Sequence, residues 1–306
     1  MLAEAASRID GGRIAYLYKS CVRTGGVSLA LRGAASDDVR LSRELEMFQD
    51  DYEIPNIEVQ VEWAERLQPW RGETVFDSGA LWILFRDGPE FIFDFTSPAF
   101  GPWPYKRLRA DRDFRGAQLI LSREALGNHR PVFPLEYPAD ELLITNYLSS
   151  GLGVEVHGCG LVDAETGGHL FLGHSCAGKS TTTMLWKSAR NPEILSDDRI
   201  ILRLHDGELW MYGTPWHGEA AFAKAGKARI SRIFILEHGE QDEITSLTRS
   251  RAVGELFARS FPPFHNAEAL GRTIGFLHRV LDTVPCYQFG FVPNASAVRT
   301  ILGFHD

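Results

Sequence analysis

Residues 173–180 combine glycines, a lysine and a serine at a spacing that suits the binding of a phosphate. The segment GHSCAGKS begins at Gly173, ends on Lys179 and Ser180, and matches the pattern G-x-x-x-x-G-K-[ST]. Its glycines let the backbone turn tightly, so that successive N–H groups can face one anion. The predicted phosphate-binding segment consists of Gly173, His174, Ser175, Cys176, Ala177, Gly178, Lys179, Ser180 and Thr181.

The residues around this loop predict the strand and the helix that it requires. Apolar Leu170–Leu172 precede it as a strand, and KSTTTMLWKS follows as a helix in which Met184 and Leu185 are expected to be buried. A helix that starts at the loop adds its partial positive charge to the site. The sequence therefore predicts nucleotide binding, in which Lys179 binds the outer phosphates and the Ser180 hydroxyl ligates Mg²⁺.

Two adjacent aspartates, Asp197 and Asp198, follow the loop in the segment PEILSDDRIILRL. Apolar residues on both sides place the pair at or near a strand edge, where it can face bound phosphates. Neighbouring side chains on an extended backbone point to opposite faces, so the two carboxylates are expected to do different work unless the backbone bends. One can hold magnesium while the other takes a proton from an attacking hydroxyl. The alternative is a pair of turn aspartates without function.

The cysteines give little support to a metal or disulfide framework. There are four, and no two form a CxxC pair: Cys21, Cys159, Cys176 and Cys286. Because Cys176 falls inside the predicted loop, N–H groups at the helix start could favour its thiolate and open it to oxidation. The alternative is that it is only a small residue that fits the loop.

The composition indicates a globular protein whose partners are neither nucleic acids nor membranes. With 32 Lys and Arg against 40 Asp and Glu, the formal net charge of -8 gives no overall positive field to attract phosphate backbones or anionic lipid. No segment approaches the roughly 20 apolar residues needed to span a bilayer. Residues 1–18 lack an apolar run behind a basic start. We expect a soluble, cytoplasmic protein.

The chain is predicted to fold as two domains, residues 1–145 and residues 146–306. In the first, IEVQVEW alternates apolar residues, and LWILFRDGPEFIFDF predicts a hairpin around Asp87-Gly88-Pro89. We expect this domain to be β-rich, and selection of a substrate is one interpretation of its role. The helical segment PADELLITNYLSSG marks the boundary. Beyond it, VEVHGCGLVD and HLFLGHS predict a hairpin that enters the phosphate loop, within an α/β domain built on a mixed sheet.

A basic cluster interrupts the strand pattern of the first half. The segment PYKRLRADRDFR carries two aspartates among Lys106, Arg107, Arg109, Arg112 and Arg115. A run of mixed charges is typical of a solvated surface. The alternative is a docking site for an acidic or phosphorylated partner.

Three segments together resemble the HPr serine kinase/phosphorylase family and its relatives, which share a phosphoenolpyruvate-carboxykinase-like P-loop fold. They are VHGCGLVD, GHSCAGKST and LSDDRIIL, in that order and at similar spacings. The sequence departs from the family at His174, where the family has an acid, and at Cys176, where it has glycine. The family's downstream arginine-glycine signature is replaced by MYGTPWHGEA, with His217 and Glu219. These departures favour an acceptor other than HPr.

The resemblance implies ATP and Mg²⁺ as cofactors and assigns roles to individual residues. Lys179 and Ser180 bind nucleotide and magnesium. Asp197 is the base for the incoming hydroxyl, and Asp198 lies near the metal. His157 matches a family histidine that orients or tunes the acid pair; the alternative is an ordinary strand histidine.

The implied function is a Mg-ATP-dependent kinase that transfers the γ-phosphate to a hydroxyl, most naturally that of a serine. Its acceptor would be a protein, a peptide or a small molecule, and the family suggests a homo-oligomer. The departures at His174 and Cys176 also leave room for another class of protein. That alternative is a nucleotide-binding regulatory protein with little catalytic activity.

Overall fold

The computed structural model describes residues 18–33, 39–51 and 54–305. They form two compact units that divide between residues 147 and 148, with residues 24–26 grouped with the second unit. Both units are built mostly of strands, and the fold is α/β with two mixed sheets. None of the helices in these ranges combines the length and hydropathy that crossing a membrane requires. The expectation about a targeting segment concerns residues 1–17, which lie outside the described part of the chain.

The first unit is one sheet with three short helices. Its strands are β1 (Tyr18–Thr24), β2 (Val27–Gly33), β3 (Ile57–Ala64), β4 (Glu73–Asp77), β5 (Trp82–Asp87), β6 (Glu90–Phe95), β7 (Lys106–Ala110) and β8 (Gly116–Ser122). Its helices are α1 (Arg43–Glu46), α2 (Arg123–Leu126) and α3 (Ala139–Leu148). The strands lie in the order β1-β2-β3-β8-β7-β6-β5-β4. β3 is parallel to β2 and β8, and the strands from β8 to β4 pair antiparallel.

The strand pattern of the first unit agrees with the sequence. Ile57, Val59 and Val61 alternate toward the core on β3. Asp87 pairs with Glu90 across Gly88 and Pro89, so the predicted hairpin between β5 and β6 is confirmed. The prediction of a β-rich first half is confirmed as well.

The basic cluster is not a uniformly solvated surface, and that interpretation was wrong for two of its members. Lys106 is 1% exposed, and its ammonium group donates to Pro134 O at 3.2 Å and contacts Glu136 Oε1 at 3.3 Å. Arg107 is 8% exposed and binds both carboxylate oxygens of Asp94, one of them at 2.8 Å. The run of mixed charges does not reveal this burial, because the partner of a buried charge lies on another segment of the chain.

The second unit contains the other eight strands and four helices. Its strands are β9 (Val154–Asp163), β10 (Gly167–Leu172), β11 (Glu193–Ser196), β12 (Arg199–His205), β13 (Glu208–Gly213), β14 (Lys227–His238), β15 (Glu243–Ser246) and β16 (Cys286–Phe291). Its helices are α4 (Lys179–Arg190), α5 (Arg249–Ala258), α6 (Ala267–Thr283) and α7 (Ala295–Leu302). The strand order is β10-β9-β12-β13-β14-β16-β15, and β11 pairs with β9.

The long strand β14 closes part of this sheet into a ring. Its first residues pair antiparallel with β13, and from Ile230 onward it pairs in parallel with β10. Strands β10, β9, β12, β13 and β14 therefore follow one another back to β10. Because β16 is also parallel to β14, the carboxyl ends of β10, β14 and β16 lie at the same edge. The phosphate-binding segment leaves the sheet from this edge.

The two faces of strand β10 pack against different helices. Leu170 and Leu172 of β10 lie in the core that includes Phe276 of α6, whereas Phe171 lies in the core with Trp186 of α4. Successive side chains of a strand point to opposite faces, so a strand covered on both sides is apolar throughout. Met184 is 48% exposed, so the expectation of its burial was wrong. Trp186, two residues later, takes the buried position.

The buried pair in the first unit gives a test of this fold. Removing one partner of a buried ion pair leaves the other charge uncompensated. We expect Asp94→Ala to lower the free energy of unfolding by about 3 kcal/mol in urea denaturation. Glu124→Ala, which removes the partner of Arg66 in an exposed ion pair, serves as the control and should leave the urea midpoint almost unchanged. Equal effects of the two substitutions would contradict the burial of Arg107.

Candidate functional site

Strand β9 places the phosphate-binding segment and the acid pair side by side. β10 lies along one edge of β9 and leads into the phosphate-binding segment. On the other edge lie β11 and β12, and the chain between them is Asp197-Asp198. The Gly158 N–H donates to Asp198 O at 2.9 Å, and the Gly173 N–H donates to His157 O at 3.3 Å. The acid pair and the loop are therefore hydrogen-bonded to neighbouring residues of β9, Gly158 and His157.

The loop has two residues in the left-handed region. Gly178 has φ +97°, and a Cβ there would lie 2.6 Å from Cζ of Phe291, so both its backbone and its surroundings require glycine. Cys176 has φ +66°, a conformation that costs a non-glycine residue about 1–2 kcal/mol. The His238 Nε2 atom lies 2.8 Å from the Cys176 carbonyl oxygen and holds this turn.

Lys179 points back into the loop at the start of α4. It is buried, and its Nζ donates to Gly173 O and His174 O, each at 3.1 Å. Burial lowers the pKa of the ammonium group, and the nearby Asp198 carboxylate opposes this. Gly178, the N-cap of α4, supplies no side-chain hydrogen bond to the helix. Because this cap has no side-chain acceptor, the first N–H groups of α4 can donate to a bound anion.

Asp198 is held in a network of charges. Its Oδ1 lies 2.9 Å from His157 Nε2, and its Oδ2 accepts from Arg199 Nε at 3.1 Å. Arg199 also donates to the buried Glu155 at 2.8 Å and lies over the Phe261 ring. Burial alone would raise the pKa of Asp198, but the bonds and charges of His157 and Arg199 outweigh it and lower the pKa to about 2. Asp198 is therefore a stable carboxylate at neutral pH.

Asp197 faces a different environment. It is 1% exposed, and its two carboxylate oxygens accept from the N–H groups of Gly218 at 3.1 Å and of Ala220 at 3.0 Å. A Cβ on Gly218 would approach Asp197 Oδ2 to 3.0 Å and Asp198 Cβ to 3.2 Å. The segment 214–221, which carries exposed His217 and Glu219, is thus bound to the acid pair through its backbone. The two aspartates therefore have different surroundings, as expected of adjacent side chains.

Arg259 is a charged residue of this region that sequence reasoning missed. Its carbonyl oxygen accepts from the His157 N–H at 2.7 Å, because the chain after α5 runs beside β9. Its guanidinium group is bound to Glu255, and its positive charge is the largest cause of the lowered pKa of His174. No motif spacing links Arg259 to the loop, so only the paired strands could reveal it.

The predicted magnesium ligands are suited to a metal that arrives with its phosphates. Among the described residues, no three His, Cys, Asp or Glu side chains form a metal-binding group. Ser180 is exposed at the start of α4, and the Asp198 carboxylate is partly exposed and near enough to the adjacent Lys179 to affect the pKa of that ammonium group. Mg²⁺ commonly takes one or two protein oxygens and completes its shell with water and substrate phosphates. The donor set fits that mode of binding.

Comparison with known proteins finds a distant structural likeness. No family model matches the chain, and no curated protein matches it. Among solved structures, it is similar to the Hpr(Ser) kinase/phosphatase from Coxiella burnetii, with 16% sequence identity and a TM-score of 0.23. The match covers 41% of this chain and 96% of that chain. A likeness at this level assigns no family, and the geometry of the site itself carries the functional argument.

Two loop substitutions test the backbone of the phosphate segment. Gly178→Ala must place a methyl group against Phe291 at a φ that disfavours it, so we expect a loss of about 2 kcal/mol or more in unfolding free energy. Cys176→Gly relieves the strained φ but raises the conformational entropy of the unfolded chain. The net change in unfolding free energy should therefore stay below about 1 kcal/mol. Thermal or urea unfolding measures both. A milder effect at Gly178 than at Cys176 would refute this loop geometry.

The charge network predicts how stability depends on pH. Because the folded pKa of Asp198 is about 2, below its ordinary 3.8, its network stabilises the fold above pH 3.8 and loses that effect as the pH falls toward 2. We expect Asp198→Asn to cost about 2 kcal/mol at pH 7 and progressively less from pH 4 to pH 2. Urea unfolding of both proteins across this range measures the difference. Asp206→Asn, in the exposed β12–β13 turn, is the control; a pH-independent cost at Asp198 would contradict the network.

Proposed function

We propose that this protein is a Mg-ATP-dependent kinase that transfers the γ-phosphate to a hydroxyl group of a protein, peptide or small molecule. One observation carries the proposal. A buried lysine at a helix start without a side-chain cap is joined, through strand β9, to a carboxylate paired with a histidine. The first group suits an anion and the second suits a hydroxyl. The motif resemblance supports a phosphoenolpyruvate-carboxykinase-like architecture for the domain that carries them.

Residues at the start of α4 would hold the donor. The loop N–H groups and the Lys179 ammonium would bind its phosphates, and the carbonyls of Gly173 and His174 keep that ammonium within the loop. The Ser180 hydroxyl would supply an oxygen to magnesium, water and the donor's phosphates would complete its shell, and Asp198 would lie near the metal without ligating it. Bound Mg-ATP supplies the phosphoryl group and the metal charge that stabilises its transfer. The role of the protein is then mainly to position groups and to balance charge.

The acid pair would receive the proton of the acceptor. The sequence resemblance gives this role to Asp197, but that residue is 1% exposed, so an acceptor hydroxyl has little access to its carboxylate. The Asp198 side chain is 26% exposed and contacts His157, so we favour Asp198 as the acceptor and Asp197 as the residue that positions the segment 214–221.

In the proposed step, the oxygen of the acceptor hydroxyl bonds to the γ-phosphorus, and the bond between that phosphorus and the leaving oxygen of ADP breaks. Asp198 takes the proton that the hydroxyl loses. Asp198, with a pKa of about 2, is a weak base, and this fits a late proton transfer in which orienting the nucleophile matters most. His157 would keep the carboxylate oriented by its hydrogen bond. His157 is therefore a positioning residue.

Transfer of labelled γ-phosphate from Mg-ATP into an extract of the source cells tests the proposal. The parent should label a discrete acceptor, and Asp198→Asn should keep Mg-ATP binding while transfer falls on the order of 10²–10⁴-fold. Lys179→Met should lose nucleotide affinity as well, because it removes a phosphate ligand. Asp206→Asn, which changes an exposed turn, should behave as the parent does.

The same experiment separates the alternatives. If Asp197→Asn abolishes transfer and Asp198→Asn does not, the role implied by the sequence resemblance is right and our assignment is wrong. If the parent binds Mg-ATP tightly but labels nothing in extract and consumes no ATP, the kinase proposal is refuted in favour of a nucleotide-binding regulator.

A further inference from the structure

A polar cleft opens beside the phosphate loop, where β14 and β16 end. Its volume is about 630 Å³, within the range of small-molecule sites. Glu237, Glu240 and Glu243 line it, together with His238 and Gln288. The lining residues, all within the described part of the chain, include no Phe, Tyr or Trp. The kinase chemistry proposed above assigns no task to this cleft.

The cleft adjoins the loop directly. β10, β14 and β16 are parallel, so the loop after β10 and the cleft after β14 and β16 lie at the same carboxyl edge of the sheet. Ligands of open α/β sheets bind at such edges. His238 lines the cleft, and its Nε2 lies 2.8 Å from the carbonyl oxygen of Cys176 in the loop. One ligand can therefore occupy both places.

Strand order puts the cleft and the acid pair on opposite sides of the loop. β9 and the acid pair lie beyond one edge of β10, whereas β14 and β16 lie beyond the other. In phosphoryl transfer the attacking and leaving oxygens are roughly in line through phosphorus. An acceptor hydroxyl at Asp198 therefore directs the leaving part of the donor away from the acid pair, toward the cleft.

The floor of the cleft suits a group with two hydroxyls. Glu237 on β14 and Glu243 on β15 are both paired in register with Gly290 of β16. Residues in register share a face of the sheet, so the two carboxylates flank a position that has no side chain. With neighbouring strands about 4.8 Å apart, the carboxylates start roughly 10 Å from each other, with room between them for a sugar ring.

We propose that this cleft binds the ribose of the nucleoside triphosphate donor, with Glu237 and Glu243 accepting hydrogen bonds from its hydroxyls; this inference rests on the proposed kinase function. Carboxylates repel polyphosphate and accept from hydroxyls, so they are suited to the sugar and not to the phosphates. Dinucleotide-binding folds use an acidic residue for the ribose in the same way. Because no Phe, Tyr or Trp lines the cleft for the base to stack on, the base contributes little selectivity.

Competition binding with four magnesium-bound probes tests this inference: ATP, GTP, 2′,3′-dideoxy-ATP and tripolyphosphate. The parent should bind ATP at least about tenfold more tightly than dideoxy-ATP, since hydrogen bonds to charged groups are lost, and should bind GTP within about threefold of ATP. Glu237→Gln and Glu243→Gln should each reduce the preference for ATP over dideoxy-ATP, while their affinity for tripolyphosphate stays equal or rises. Glu165→Gln, in the exposed turn between β9 and β10, is the matched control and should keep the parent's preference.

The outcomes distinguish this inference from the kinase proposal. If the parent binds tripolyphosphate and ATP but does not discriminate against dideoxy-ATP, or if both glutamate variants keep the full preference, the cleft does not bind ribose and the phosphate loop stands. If the parent binds neither tripolyphosphate nor ATP, the proposed function fails and the inference about the cleft fails with it.

Discussion

The site depends on the backbone of strand β9, which is hydrogen-bonded to the catalytic candidates on both of its edges. At Gly158 it receives the acid pair, and at His157 it receives the first residue of the phosphate loop. Backbone bonds fix relative positions more rigidly than long side chains do, because ordering a long side chain costs rotamer entropy. Gly158 has no room for a side chain, since a Cβ would lie 2.5 Å from Leu172 Cδ2. The close spacing of loop and acid pair is therefore set by β9.

Charge balance completes this arrangement. Lys179 and Arg199 bring two positive charges near Asp198, and Glu155 takes up the remaining side of Arg199. The Arg199 guanidinium lies 3.8 Å above the centre of the Phe261 ring, which shields one of its faces from water. Buried charges are tolerated only when they are paired and hydrogen-bonded. The result is a carboxylate that remains ionised and fixed in orientation beside a site suited to an anion.

Local signals in the sequence were sufficient for the loop and the strands around it. The glycine and lysine spacing predicts the turn into α4, and alternation of apolar residues predicts β3 and the hairpin of β5 and β6. The contacts that assign roles are not local. Asp197 is bound by Gly218 and Ala220, and Arg259 reaches β9 from the end of α5. Such contacts depend on which strands pair, and spacing along one sequence does not specify that. The burial of Lys106 was missed for the same reason.

Asp197 binds the segment 214–221 through its backbone. The residues that anchor this segment are therefore constrained differently from the side chains that it exposes. Both of its contacts go to main-chain N–H groups, so the anchorage depends on the backbone and on the small size of Gly218, and it does not depend on the side chains at 217 and 219. Those two side chains are exposed beside the acid pair. They can change from one homologue to another without disturbing the carboxylates. If the proposed kinase function holds, a chain built in this way can acquire a new acceptor by exchanging a few surface residues, while the carboxylates beneath them keep their positions.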